Sequence, residues 1–195
     1  MSRLQKAGSN YMSETKNIRT PLNENSVTNL KAGDCVNLSG IIYTARDAAH
    51  ARLEALIKEG KPLPFDLKGA AIYYVGPAPA KPGQVIGSAG PTTSYRMDAY
   101  SPLLMERGLK GMIGKGKRSP EVIESMKKNK AVYFAATGGV GALIAKCIKK
   151  AKVIAFEDLG PEAINELEVE NFPLTVINDI EGNDLYETGI KKYVR

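Results

Sequence analysis

Cys35-Val36-Asn37-Leu38-Ser39-Gly40-Ile41-Ile42-Tyr43 runs directly into Thr44-Ala45-Arg46-Asp47-Ala48-Ala49-His50, and the junction between them decides the fold class. The first nine residues alternate in the manner of a strand with one buried face. After the junction the period changes: Ala49, Leu53, Leu56 and Ile57 recur at helical spacing up to Gly60. A strand that passes without pause into a helix is the building unit of an α/β protein. Thr44 is placed to cap that helix, and Asp47, three residues on, takes the acidic position of a capping box. Arg46 then falls in the first turn, where the peptide dipoles disfavour a cation unless it meets an anion. A neighbouring carboxylate and a bound ligand would each serve. His50, one turn further, reads either as a hydrogen-bonded structural histidine or as a proton shuttle.

Working outward, the same alternation repeats. Lys16 onward is extended, Pro21 and the Asn/Ser cluster to Asn29 give a turn, and Pro62-Leu63-Pro64-Phe65-Asp66 is a stiff connector to a strand over 70–75. The Pro/Gly-rich run from Pro77 to Gly83 is a loop, either a plain connector or a surface for a partner. Lys110-Gly111-Met112-Ile113 and Ala131-Val132-Tyr133-Phe134-Ala135 are short strands, with Ser119 capping a helix through Met126 between them. Gly138-Gly139-Val140-Gly141 opens a helix through Cys147; it fits neither the dinucleotide fingerprint nor a Gly-Lys-Ser/Thr loop, so it reads as close helix packing. Then come a strand over 152–156, a short helix from Gly160, strands over 167–169 and 174–177, and a strand pair around a tight turn from Asp179 to Tyr186. The expectation is one α/β domain over 16–195 preceded by a flexible polar arm, residues 1–15.

Two further stretches concentrate chemistry. Gly90-Pro91-Thr92-Thr93-Ser94-Tyr95-Arg96-Met97-Asp98 puts hydroxyls, free backbone amides and a cation at one helix start. Such an end holds a carboxylate or phosphate, to which Arg96 can add a two-pronged bond; an ordinary capped helix with a solvated arginine has the same sequence. After it, Pro102 breaks or kinks the helix, with Ser101 placed to cap the next segment. In Gly114-Lys115-Gly116 a lysine stands between two glycines, so that backbone can approach a ligand that the ammonium reaches, or the run is a solvated turn.

Composition narrows the classes. The 195 residues are 43% apolar and 25% charged, enough to bury a core. Lys plus Arg number 27 against 21 acidic residues, a net charge of +6, but the basic residues are scattered, which suits an acidic ligand better than a nucleic acid. Cys35 and Cys147, both read as buried thiols, with a single histidine, offer no metal-ligand or disulfide framework. No apolar run approaches a membrane span and no signal-peptide pattern opens the chain, so a cytoplasmic protein is expected.

Taken in order, Thr44–His50, Gly90–Asp98, Met112-Ile113-Gly114-Lys115-Gly116 and Ala136-Thr137-Gly138-Gly139 resemble the β subunit, or the equivalent C-terminal region, of class I fumarate hydratases and the related L(+)-tartrate dehydratases. The resemblance spans about 16–186. It implies a swivelling three-layer β/β/α domain and reversible addition of water to a dicarboxylate. It also implies an oxygen-sensitive [4Fe-4S] cluster held by an iron-sulfur α subunit and not by this chain, whose two cysteines are too few. The resemblance assigns Arg46, Thr93, Arg96 and Lys115 to the substrate and Thr92 to the catalytic base. It implies a hetero-oligomer, with homodimerisation open, and neither nucleic-acid nor membrane partners. Within the family, fumarate ranks first, tartrate second and the substrate of another dicarboxylate hydro-lyase third. From another class, the same fold and cationic loops suit a non-catalytic anion- or protein-binding module.

Overall fold

The computed structural model describes residues 14–137 and 141–193. Of the arm expected over 1–15, residues 1–13 lie outside the described residues, as do residues 138–140 of the glycine run.

In chain order the elements are β1 (Lys16–Arg19), α1 (Glu24–Thr28), β2 (Cys35–Thr44), α2 (Asp47–Lys58), β3 (Ala71–Tyr73), a 3-10 turn (Ser94–Met97), α3 (Ser101–Glu106), β4 (Gly111–Gly114), α4 (Pro120–Asn129), β5 (Val132–Ala135), α5 (Gly141–Cys147), β6 (Ile148–Ala155), a second 3-10 segment (Glu157–Glu162), β7 (Ile164–Asn178) and α6 (Leu185–Tyr193). The α/β class holds. Strands β2, β3, β4 and β5 lie side by side and parallel. Parallel neighbours need crossovers, and the helical segments between these strands provide them. The long strand β7 pairs antiparallel with β5 at one end and with β2 along most of its length, closing a five-stranded ring. β1 extends β2 and β6 extends β7.

Alternation along the strands feeds two separate apolar clusters. Inside the ring, Leu38, Ile42, Ala71, Tyr73, Ile113, Val132, Phe134 and Phe172 pack together. The opposite faces of the same strands, through Ile72, Tyr74, Met112 and Tyr133, pack against Leu53 and Ile57 of α2, Leu104 of α3 and Met126 of α4. At roughly 1.5–3 kcal/mol for each fully buried large side chain, the two clusters outweigh any single polar contact described below.

Several sequence expectations are corrected. The turn expected between Pro21 and Asn29 contains the short helix α1, stabilised by a reciprocal capping box between Asn23 and Ser26. The two strands expected over 167–169 and 174–177 are one strand: Asn171 takes a left-handed backbone (φ 50°) within β7, and pairing with β2 resumes beyond it. The helix expected from Gly160 ends as a 3-10 turn before β7. The pair expected from Asp179 to Tyr186 is a turn leading into α6; the Asp179 carboxylate accepts from the amides of Glu181 and Asn183, which makes the turn without a second strand. The cysteines are not buried: Cys35 is exposed and Cys147 is partly so.

Candidate functional site

The motifs singled out in the sequence gather at one edge of the ring. Each of β2, β3, β4 and β5 is followed by one of them, and because these strands are parallel their carboxyl ends share that edge. In open α/β sheets ligands bind at such ends.

Arg46 lies two residues beyond the end of β2 and is the N-cap of α2. The expected cap, Thr44, is elsewhere engaged: its hydroxyl donates to the Ala163 carbonyl and accepts from the Asn165 amide at 2.9 Å, tying β2 to the start of β7. Glu162 caps the helix instead. One of its oxygens accepts from the Ala48 amide at 3.0 Å, and the other lies 3.5 Å from Arg46 Nη2. Asp47 Oδ2 lies 3.8 Å from Arg46 Nε. The carboxylate reading of Arg46 is therefore realised, by the adjacent Asp47 and the long-range Glu162. The side chain lies over Gly76, where a Cβ would stand 2.7 Å from Nη1, so a larger residue there would push the guanidinium aside.

Thr92 and Thr93 lie just before the 3-10 turn, and Thr93 takes its N-cap position without a side-chain bond. Backbone bonds fix them: the Thr92 amide donates to the Tyr74 carbonyl at 2.7 Å, and Thr93 forms a parallel bridge with Lys115. Both threonines are half-buried, and Lys115 is exposed. Arg96 leaves the same turn and donates from Nε to Asp47 Oδ1 at 2.8 Å. The structure thus brings Arg46 and Arg96 to one carboxylate, and Thr93 to Lys115.

Three groups absent from the sequence expectations hold these loops in place. The Ser94 hydroxyl accepts from the Lys115 amide at 3.1 Å and donates to the Tyr133 phenol at 2.9 Å, which in turn donates to the Gly116 carbonyl. A Cβ at Gly114 would stand 2.0 Å from the Ser94 oxygen, so the approach requires glycine. Arg118, whose side chain is 0% exposed, donates to Asp98 Oδ1 and to the Ser101 hydroxyl, both at 2.7 Å. It also lies over the Tyr74 and Tyr133 rings. Ser101, expected as a cap, begins α3 and donates to the Met97 carbonyl. Nothing local marks Glu162 as the cap of α2, because 114 residues separate it from Ala48.

His50 is structural. It is fully buried, and its Nδ1–H donates to the Arg46 carbonyl at 2.9 Å. Burial pushes its pKa down to about 4. Since the unfolded histidine titrates near 6.5, the unfolded chain takes up a proton first as pH falls. Stability is therefore undiminished by this group above about pH 6.5, and declines between 6.5 and about 4 by roughly 3 kcal/mol. Urea midpoints across that window should fall less steeply for His50→Asn, which keeps a donor without the titration; parallel slopes would refute the assignment.

Cys35 and Cys147 lie on separate elements, and no group of three His, Cys, Asp or Glu side chains that could hold a metal occurs among the described residues. Among them no helix is long and apolar enough to cross a membrane.

Residues 3–189 match the family model described as Fumarase C-terminus. The chain is 42% identical over 156 residues to fumarate hydratase 2 of Leishmania major, covering 79% of this chain and 28% of that protein. It is equally similar, 42% over 159 residues, to the anaerobic class I fumarate hydratase of Escherichia coli (strain K12), of which it covers 29%. A Methanocaldococcus jannaschii protein provisionally named L(+)-tartrate dehydratase subunit beta is 42% identical over 177 residues, covering 88% of this chain and 91% of that one. The chain thus spans less than a third of the fumarate hydratases it resembles and nearly all of the subunit-sized relative.

Proposed function

The chain belongs to the Fumarase C-terminus family, and from that premise we propose that it is the β subunit of a class I fumarate hydratase, completed by an iron-sulfur α subunit. The reaction is reversible hydration of fumarate to malate. The observation that carries the reading is the convergence of Arg46 and Arg96 on one carboxylate beside the Thr93–Lys115 bridge, at the edge where the motif-bearing loops meet.

The chemistry asks for that arrangement. In the dehydration direction the proton removed is α to a carboxylate, so the charge that develops spreads onto that carboxylate. Cations aimed there stabilise it more in the transition state than in the bound substrate. Arg46, Arg96 and Lys115 are those cations, and Thr93 is a substrate contact. Thr92 takes the proton during dehydration and returns it during hydration. Its hydroxyl is a weak base in water and acts only because positive charge around it favours the alkoxide. Asp47 and Glu162 lie against Arg46 and Arg96, so the excess charge there is small and a dianion needs further donors. A partner subunit covering this edge supplies them, together with the [4Fe-4S] cluster that activates the hydroxyl that is lost or gained. We also read the ring and the helices over it as the three-layer β/β/α swivelling domain, which the two separate apolar clusters support. A cytoplasmic location accompanies this reading.

The test is anaerobic co-expression with the iron-sulfur partner, followed by assays on fumarate and on L(+)-tartrate. Turnover of fumarate is expected. Turnover of tartrate alone would move the assignment to the tartrate dehydratases, which the subunit-sized relative favours on length. The chain purified alone is expected to show neither turnover nor iron-sulfur absorption after incubation with iron and sulfide. Activity of the isolated chain would overturn the division of labour, and an inactive but assembled complex would favour a binding module.

A further inference from the structure

Outside the cationic edge, several surface lysines are already paired. Lys127, Lys128 and Lys130 near the end of α4 engage Glu124, Glu106 and Glu24, and Lys149 and Lys150 of β6 engage Glu170 and Glu168. Asp47 is different, because it sits within the anion site and bears the same charge as the ligand. Its Oδ1 accepts from Arg96 Nε at 2.8 Å. Its Oδ2 is buried without a hydrogen bond, 3.8 Å from an Arg46 Nε that is likewise buried and unbonded.

We propose that Asp47 is a positioning residue for the dicarboxylate: it faces both guanidiniums through Nε and leaves the terminal nitrogens of Arg96 for the substrate. This rests on the functional reading above. A guanidinium has a side-on edge, formed by Nε and one Nη, and an end-on edge formed by both Nη groups. Asp47 takes Arg96 by Nε, so the end-on edge stays available for a two-pronged carboxylate contact. Two guanidiniums brought close without a shared anion repel and splay, more strongly as water is removed. A fixed carboxylate between them lowers that repulsion before substrate arrives, so less reorganisation remains at binding.

The sign of one substitution decides between positioning and mere proximity. If Asp47 is only a neighbouring negative charge, Asp47→Asn removes repulsion toward a dianion and KM falls. If it positions the arginines, KM rises, at least about tenfold, with a smaller change in kcat. Asp47→Glu should recover part of the loss by restoring the charge one methylene away. A purely structural role would lower the thermal midpoint and leave KM of the folded enzyme unchanged.

A second measurement uses this chain alone. The Arg96 Nε–H, observed by nitrogen-15 NMR, should exchange with solvent more slowly in the wild type than in Asp47→Asn. Slower exchange together with a raised KM supports the proposal; equal exchange, or a KM that falls or stays constant, overturns it. If the wild-type complex turns over neither substrate, the functional reading fails separately. The side-chain exchange measurement then decides whether Asp47 holds Arg96.

Discussion

Arg118→Met is expected to lower the free energy of unfolding by about 3–5 kcal/mol, the range for removing one member of a buried ion pair. The methionine fills much of the same space but gives up the bonds to Asp98 and Ser101 and the contacts over Tyr74 and Tyr133. Asp98, whose side chain is 14% exposed, would keep only the Ser119 amide at 2.8 Å. The double change Asp98→Asn with Arg118→Met should cost less than the sum of the single changes, because no stranded charge remains. The effect also has a local readout. Asp98 belongs to the segment bearing Thr92 and Arg96, and Arg118 to the segment bearing Lys115, so the pair joins the two loops of the site. Hydrogen exchange at the Ser94 amide, which donates to the Lys115 carbonyl, should accelerate in the single variant beyond the global change. A loss under about 1 kcal/mol would class the pair with exposed ones and remove it as the clamp.

How much of this was legible in the sequence follows from the range of each interaction. The strand β2, its passage into α2, the cap at Ser119 and the break at Pro102 are local events, written in alternation, helical period and turn chemistry. The closure of the ring was not legible, because it depends on β7 pairing with β2, more than a hundred residues earlier. The same limit explains Thr44. A threonine before a helix reads as a cap, but this one turns to β7, and Glu162 arrives from across the chain to take the amide. At the site, residue types and order named the candidate cations, while the sharing of Asp47 by two arginines is a property of spacing in three dimensions. Asp98 stood inside a quoted stretch and Arg118 two residues beyond another, yet nothing in their neighbours announced that the guanidinium is buried.

The largest effect on function is expected from the arginines themselves. In the assembled enzyme, Arg46→Ala or Arg96→Ala should each lose a two-pronged charged contact in a water-poor cleft. That is about 2–5 kcal/mol, or roughly 30- to several-thousand-fold in kcat/KM. Their effects on stability should differ. The Arg96 side chain is 43% exposed and, among the described residues, bonded to Asp47 alone, so its loss should cost no more than about 1 kcal/mol of folding energy. Arg46 is 23% exposed and stands between Asp47 and Glu162, and removing it leaves two carboxylates facing each other, with a loss of about 1–3 kcal/mol. Similar losses of activity with unequal losses of stability would separate a role in binding from damage to the fold. Lysine at either position should restore only part of the activity, because it keeps the charge and lacks the planar fork. Lys128→Ala, on a side chain 74% exposed and 3.7 Å from Glu106, should be silent in both measurements. Retention of activity within about threefold in Arg96→Ala would show that the exposed guanidinium touches no substrate, and the site would contract to Arg46 and Lys115.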